Sequence, residues 1–329
     1  MGSFAKTLPN LPFAQPGLDR SAELRTDPGL LTDLLATPTT RVLELHGDRV
    51  AVHEVPAPGA GPAADGDGSQ GRAHTVEVRL SLRPPRPGDA DRLGLFLGVD
   101  DRDTAYVAVV LEAPEVAELP GDGDVGELRT LRQVGAHLEA LDATLFTTSL
   151  ALANWHRAHP FCPRCGAPTE PAQGGWLRRC TAEGSEHYPR TDVAVIMSVV
   201  DQDDRLLLAR GAGWGEGRFS VLAGFLEPGE SLPVAVAREV REEVGLEVTD
   251  VEYLGDQPWP FPTSLMVGFT ARAVGVDLAL QDSEIAEARW FTRAELLAAV
   301  EEGWLAMSGR LSISRRLLEH WLGHEVDVP

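Results

Sequence analysis

GFLEPGESLPVAVAREVREEVGL, residues 224–246, is the stretch whose reading decides the fold of this chain. Ser231 can cap a helix, Pro233 falls in its first turn where a missing N–H costs little, and Gly245 supplies the stop. Val236, Val240 and Val244 recur every four residues as an apolar stripe, which predicts an amphipathic helix over 231–244. The same period places Glu239, Glu242 and Glu243 at i, i+3 and i+4 on another face. Like charges so spaced repel by roughly a few tenths of a kcal/mol per pair, so something cationic should offset them. A solvated acidic face with Arg238 and Arg241 as local partners is the bland account. Gly224 and Glu230, set at fixed distances upstream, speak against it.

A hard divalent ion prefers oxygen ligands and is commonly shared between carboxylates and a substrate phosphate. The stretch resembles the Nudix box in full. That resemblance implies an α/β/α sandwich in which two or three Mg²⁺ or Mn²⁺ ions polarise a pyrophosphate and activate a water. Carried over by position, Glu239 and Glu243 are the principal ligands with Glu242 beside them, the Ala223 carbonyl is a further ligand, and Glu230 and Arg238 brace the loop.

Thirteen residues separate the end of the box from Pro260, inside Gln257-Pro258-Trp259-Pro260-Phe261-Pro262-Thr263-Ser264. Three alternating prolines forbid helix and poorly suit a central strand, which predicts a stiff loop presenting Trp259 and Phe261. Rigid aromatic faces suit stacking on a nicotinamide or adenine ring, and a Pro/aromatic turn packed into the core is the structural alternative. Beside a Nudix box the string resembles the signature of NADH pyrophosphatases, with Asp256 where that family has Ser. The resemblance runs from about residue 132 to the end of the chain. It implies a fourth acidic metal ligand at Glu284, base-stacking residues at Tyr188 and Phe225, a substrate contact at Ser314 and a phosphate-reaching arginine at Arg132. For Arg132 a plain surface role stands equally open.

Cys162-Pro-Arg-Cys165 and Cys180 resemble the same family's zinc ribbon with one ligand absent. Tetrahedral Zn²⁺ wants four ligands. Glu183 or His187 can stand in, His187 being the better chemical match; alternatively the segment holds no zinc and is kept by packing around Trp176. Three cysteines make no closed disulfide framework and point to a reducing compartment.

Working outward, residues 193–200, 205–210, 251–254 and 265–273 are predicted strands, and 292–301 and 312–322 helices. Upstream, 42–45, 75–82, 93–97 and 106–111 are predicted strands of a β-rich domain, with loops at 56–71 and 121–126 and a continuous helix over 128–159 ended by Pro160. No internal repeat is visible. The expected division is a β-rich domain at 1–130, a connecting helix at 131–160, a ribbon at 161–190 and a Nudix domain at 191–329.

The chain has 329 residues, 43% hydrophobic and 24% charged, the composition of an ordinary globular protein. Twenty-nine Lys+Arg against 50 Asp+Glu give −21, a field that repels nucleic acid and anionic membrane, so a phosphate substrate must be met locally by metal or a few arginines. Lys6 is the only lysine, which suits bidentate phosphate binding by arginine and equally a GC-rich genome. No secretory signal and no apolar run long enough to span a bilayer are visible, so a cytoplasmic location is expected. The resemblance implies hydrolysis of NADH, and more slowly NAD⁺, to NMNH or NMN plus AMP, with removal of NAD caps from RNA 5′ ends placed second because of the charge. It also implies a homodimer. The alternatives are another Nudix substrate such as ADP-ribose, or a zinc-ribbon binding protein with a decayed Nudix fold.

Overall fold

The computed structural model describes residues 7–9, 11–15, 17–56, 76–111, 126–280 and 284–326. The expected loop from 57 onward and the glycine-rich break up to 125 lie outside the described residues. The chain divides into two compact units, one of residues 15–190 and one joining 191–329 to residues 1–14. The expected boundary at residue 1 therefore differs from the packing: Leu8 and Leu11 are buried in the core of the second unit, and the Leu8 N–H donates to the Leu254 carbonyl at 2.6 Å.

The first unit contains α1 (Leu30–Ala36), β1 (Arg41–His46), β2 (Arg49–Pro56), β3 (Val76–Leu80), β4 (Leu93–Val99), β5 (Ala105–Leu111) and β6 (Glu127–Thr130). These strands form one sheet in the order β3-β2-β1-β5-β4, with β6 also pairing β2. The β1–β5 pair is parallel and the others are antiparallel. Leucines of α1 cover Val42, Val107 and Val109 on adjacent strands.

The expected helix over 128–159 is broken. Residues 127–130 pair with β2, and a capping box between Thr130 and Gln133 starts the short α2 (Leu131–Val134), which Gly135 closes. The chain restarts as α3 (Ala140–Ala158), because Leu128 and Leu131 serve different elements although their spacing reads as one helix. The ribbon follows as β7 (Thr169–Ala172), β8 (Leu177–Cys180) and β9 (Glu186–His187), all antiparallel.

The second unit carries β10 (Asp192–Val200), β11 (Leu206–Gly211), β12 (Leu222–Phe225), α4 (Leu232–Val244), β13 (Val248–Trp259), β14 (Ser264–Ala273), β15 (Ile285–Phe291), α5 (Arg293–Glu301) and α6 (Ile313–Leu322). Its sheet runs β13-β14-β10-β11-β15, with β12 paired to β10 and with β10 and β14 parallel. Side chains alternate across it. Ile196, Val200, Leu206 and Leu208 pack with Leu296, Ile313, Leu317 and Trp321 of α5 and α6, while Val195, Met197, Val199 and Leu207 pack with Val236, Val240 and Val244 of α4. Strand period 2 and helix period 3.6 thus build an α/β/α sandwich.

The proline segment departs from the expected loop. Gln257, Pro258 and Trp259 extend β13 and pair with Met266, Leu265 and Ser264. β13 is an edge strand, where a proline's missing donor is tolerated. No described helix is long and apolar enough to cross a membrane.

Candidate active site and metal centres

The Nudix-box helix has its expected bounds, but Ser231 caps it through backbone conformation alone, with no side-chain hydrogen bond; Gly245 closes it at φ 72°. The valine stripe is buried, and that fixes the rotation of the acidic face. Glu239 and Glu243 end up 9% and 8% exposed, whereas Glu242 points outward.

Arg238 organises the upper end of the face. It donates to Glu230 at 2.6 and 3.1 Å, to Glu239 at 2.8 Å, to Glu242 at 2.9 Å and to the Phe225 carbonyl at 2.9 Å. Such charge-assisted bonds bind the box loop, β12 and α4 into one piece. Glu230 also accepts from the Glu227 N–H at 2.7 Å. Gly224 lies directly under the Glu239 carboxylate, where an added Cβ would come 1.9 Å from its Cδ. The box glycine is therefore a steric requirement: the carboxylate occupies the space a side chain would fill.

Glu243 is different. Its Oε2 is buried and has no hydrogen-bond partner among the described residues. Burial first, then Glu239, Glu284 and Glu242, push its carboxyl up to about 8. Burial also raises Glu239, with Arg238 pulling the other way and Glu242 and Glu284 adding to the rise. The fold thus gathers all four predicted acidic residues. Glu284 stands just before β15, its carbonyl accepting from the Ala212 N–H at 2.8 Å. A buried carboxylate oxygen without a donor needs a proton or a cation, so this donor set fits hard divalent ions. Ala223 lies on β12 opposite Ile196.

The other predicted contacts divide. Phe225 is exposed, and the Trp259 and Phe261 rings meet edge to face with centroids 5.0 Å apart. Pro260 is buried and Pro262 exposed in the turn between β13 and β14, where Thr263 donates to Asp192 at 2.9 Å and Ser264 opens β14. Gln257 differs from expectation: it is fully buried, donates to the Pro12 and Leu311 carbonyls at 3.0 and 2.8 Å, and accepts from the Ile313 N–H at 2.8 Å. An amide with both donors spent on backbone carbonyls clamps the segment that presents the aromatics. Ser314 is likewise buried, its hydroxyl 2.8 Å from that of Ser220 and 3.2 Å from that of Ser308. Tyr188 and Arg132 belong to the first unit. Tyr188 is exposed and donates to Glu186 at 3.0 Å, and Arg132 sits on the exposed side of α2.

In the ribbon, ligand atoms of Cys162, Cys165, Cys180 and Glu183 all lie within 4.8 Å of one another. His187 does not join them, which corrects its expected place as fourth ligand. β9 holds it one step out, its Nε2 3.1 Å from Ser185 Oγ, and Ser185 in turn donates to Glu183 at 2.7 Å. Burial pushes the Cys162 thiol up, but hydrogen bonds from Ser185 and the Arg164 and Cys165 N–H groups outweigh it and bring the thiol down to about 6. Three sulfurs and one carboxylate at this spacing fit a tetrahedral ion. Sequence reading gave Glu183 second place; the signal it passed over is that Cys180-x-x-Glu183-Gly184 echoes Cys162-x-x-Cys165-Gly166.

Three family models match successive parts of the chain: an NADH pyrophosphatase-like rudimentary NUDIX domain over residues 39–155, an NADH pyrophosphatase zinc ribbon domain over 157–188 and a NUDIX domain over 189–308. The chain is 48% identical over 214 residues to a Mycobacterium bovis protein named NAD-capped RNA hydrolase NudC, covering 62% of this chain and 68% of the relative. A Mycobacterium tuberculosis protein of the same name is 47% identical with the same coverage. A Homo sapiens protein, NAD-capped RNA hydrolase NUDT12, is 38% identical over 198 residues, 56% of this chain and 43% of the relative.

Proposed function

The chain belongs to the Nudix hydrolase family, in the branch that carries an NADH pyrophosphatase zinc ribbon, and from that membership we propose that it hydrolyses the pyrophosphate of NADH and NAD⁺ to NMNH or NMN plus AMP, and removes NAD caps from RNA 5′ ends. The observation that carries the reading is the Glu243 carboxylate, buried, without a partner and pushed up to about 8 among three other acidic residues.

Mg²⁺ or Mn²⁺, when bound, polarises the pyrophosphate and lowers the cost of forming the attacking hydroxide. Glu239, Glu243 and Glu284 would hold the ions, with Glu242 and the Ala223 carbonyl beside them. Arg238 fixes the orientation of Glu239, and Gly224 leaves that carboxylate room against the strand. Trp259 and Phe261 offer aromatic faces for a base of the dinucleotide, and Gln257 holds the strand that presents them. Exposed Phe225 and Tyr188 are further candidates for stacking, and Arg132 for a phosphate contact. Water's oxygen bonds to one phosphorus while the bridging oxygen leaves with the other, so NADH and water give NMNH and AMP.

Three free cysteines suit a cytoplasmic enzyme, and the family resemblance supports a homodimer. The relatives named NAD-capped RNA hydrolase support NAD-capped RNA as a second substrate, although −21 opposes wide contact with an RNA backbone. The deciding experiment is purified protein with Mg²⁺ or Mn²⁺ and a panel of NADH, NAD⁺, NAD-capped RNA and ADP-ribose, with products identified. AMP and NMNH from NADH are expected. Turnover of ADP-ribose without NADH selects another Nudix specificity, and no turnover of any nucleotide overturns the enzyme reading.

A further inference from the structure

The ribbon is built from two turns of one design. Cys162-Pro-Arg-Cys165-Gly166 and Cys180-Thr-Ala-Glu183-Gly184 each begin with a buried thiol and place the fourth side chain outward. In each the glycine N–H returns to the carbonyl of the leading cysteine, at 2.9 and 3.1 Å, and the glycine is left-handed, at φ 76° and 71°. A backbone N–H also points at each leading sulfur, from the third residue of the first turn, Arg164 at 3.4 Å, and from the fourth of the second, Glu183 at 3.5 Å. Glu183 thus occupies, by chain position and by geometry, the place that Cys165 holds in the first turn.

We infer that the ribbon binds one zinc ion through Cys162, Cys165, Cys180 and the Glu183 carboxylate, with His187 outside the ligand set. Zinc–sulfur bonds of about 2.3 Å imply tetrahedron edges of about 3.7 Å. Two edges are already near that length, with Cys165 and Cys180 sulfurs 3.4 Å apart and Cys162 Sγ 3.4 Å from Glu183 Oε1. The same Oε1 receives the Ser185 hydroxyl at 2.7 Å and faces Arg164 Nε at 3.6 Å, so outer groups aim the carboxylate inward, as such groups do around metal ligands. His187 supports Ser185 from behind. A carboxylate preserves the charge that a fourth thiolate would bring, which a neutral imidazole would not. Oxygen is also a harder donor than sulfur, so this ion is held less tightly than in a four-thiolate ribbon.

The test uses the full-length protein and does not depend on the proposed reaction. Zinc content, chelator competition and the absorption of the Co²⁺ form are measured for the native chain and for Glu183→Cys, Glu183→Ala and His187→Ala. One zinc per chain is expected. Glu183→Cys should raise thiolate-to-cobalt charge transfer by about one third and tighten zinc by about tenfold, a gain that misfolding cannot produce. Glu183→Ala should weaken zinc by about tenfold or more, and His187→Ala should leave the cobalt spectrum unchanged. A native chain without zinc, an unchanged spectrum in Glu183→Cys, or the loss appearing in His187→Ala instead of Glu183→Ala would each overturn the assignment.

Discussion

Among the described residues the chain contains two sheets that share most of their strand pairing, and only one of them carries an acidic helix. In the first unit β4-β5-β1-β2 lie side by side with β5 and β1 parallel; in the second β13-β14-β10-β11 do the same with β14 and β10 parallel. A later strand pairs antiparallel with the second strand in both, β6 on β2 and β15 on β11. They differ in the third strand, β3 pairing with β2 but β12 with β10, and in what joins it to the fourth. Residues 226–247 supply α4, while the corresponding residues 81–92 hold three prolines and a single 3₁₀ turn at Asp89–Asp91. Prolines so spaced exclude an α-helix.

The charges follow the same division. In the first unit Arg83 donates to Glu44 and to both oxygens of Asp89, at 2.7 Å each. The His46 imidazole first, and Arg83 after it, hold Glu44 down to about 2 against the effect of burial. In the second unit Arg238 satisfies Glu230, Glu239 and Glu242, yet Glu243 Oε2 is left without a partner. Around Glu44 and Asp89 the carboxylates are met by Arg83, whereas the Glu243 carboxylate leaves a place for a cation. The sheet is a common scaffold, and the activity resides in the insertion.

The largest expected effect tests that contrast directly. Glu243→Gln should lower kcat by at least about a hundredfold with the fold retained, and near-native turnover would remove Glu243 from the metal site. Glu243 and Glu44 should also respond oppositely to pH when metal is chelated. Folded, Glu243 keeps its proton from 4.5 up to about 8, so its stabilisation is full below that window and lost as pH rises through it. At about 1.4 kcal/mol per unit this amounts to several kcal/mol. Glu44, held down to about 2, contributes stability that is full above 4.5 and lost as pH falls toward 2. Thermal melts in a chelator should show both slopes, Glu243→Gln should flatten the upper one, and Mg²⁺ should restore stability near pH 8.

Arg83→Ala comes next. Removing it leaves Glu44 and Asp89 facing each other and should cost about 3 kcal/mol in stability, while the Michaelis parameters of the surviving folded enzyme change little. A large fall in kcat at a temperature where the variant is folded would show that the first sheet takes part in the chemistry.

A pair of glycines sharpens the comparison further. Gly224→Ala drives a methyl into the Glu239 carboxylate and should lose kcat and about 1–3 kcal/mol of stability. Gly47→Ala meets open space and should cost only about 1–2 kcal/mol for its φ of 65°, with kcat unchanged. The smallest effect is Trp259→Ala, expected to raise KM for NADH by about fivefold, the equivalent of about 1 kcal/mol of stacking. Unchanged kinetics would make the aromatic pair purely structural.

Sequence alone determined what rests on local spacing. Positions three and four apart share a helix face whatever surrounds them, so Glu239, Glu242, Glu243 and the valine stripe were legible, as were the alternating strands of the second unit. Only the tertiary structure decided what depends on distant neighbours. It showed that β13 is an edge strand able to carry Pro258, that Gln257 is spent on backbone groups from 54 to 245 residues away, and that Glu183 meets Cys162 while His187 stands outside. It also exposed the repeated sheet, which the sequence conceals because pairing order leaves no periodic trace in the chain. Burial made Glu243 a group in need of a cation, and burial belongs to the whole fold.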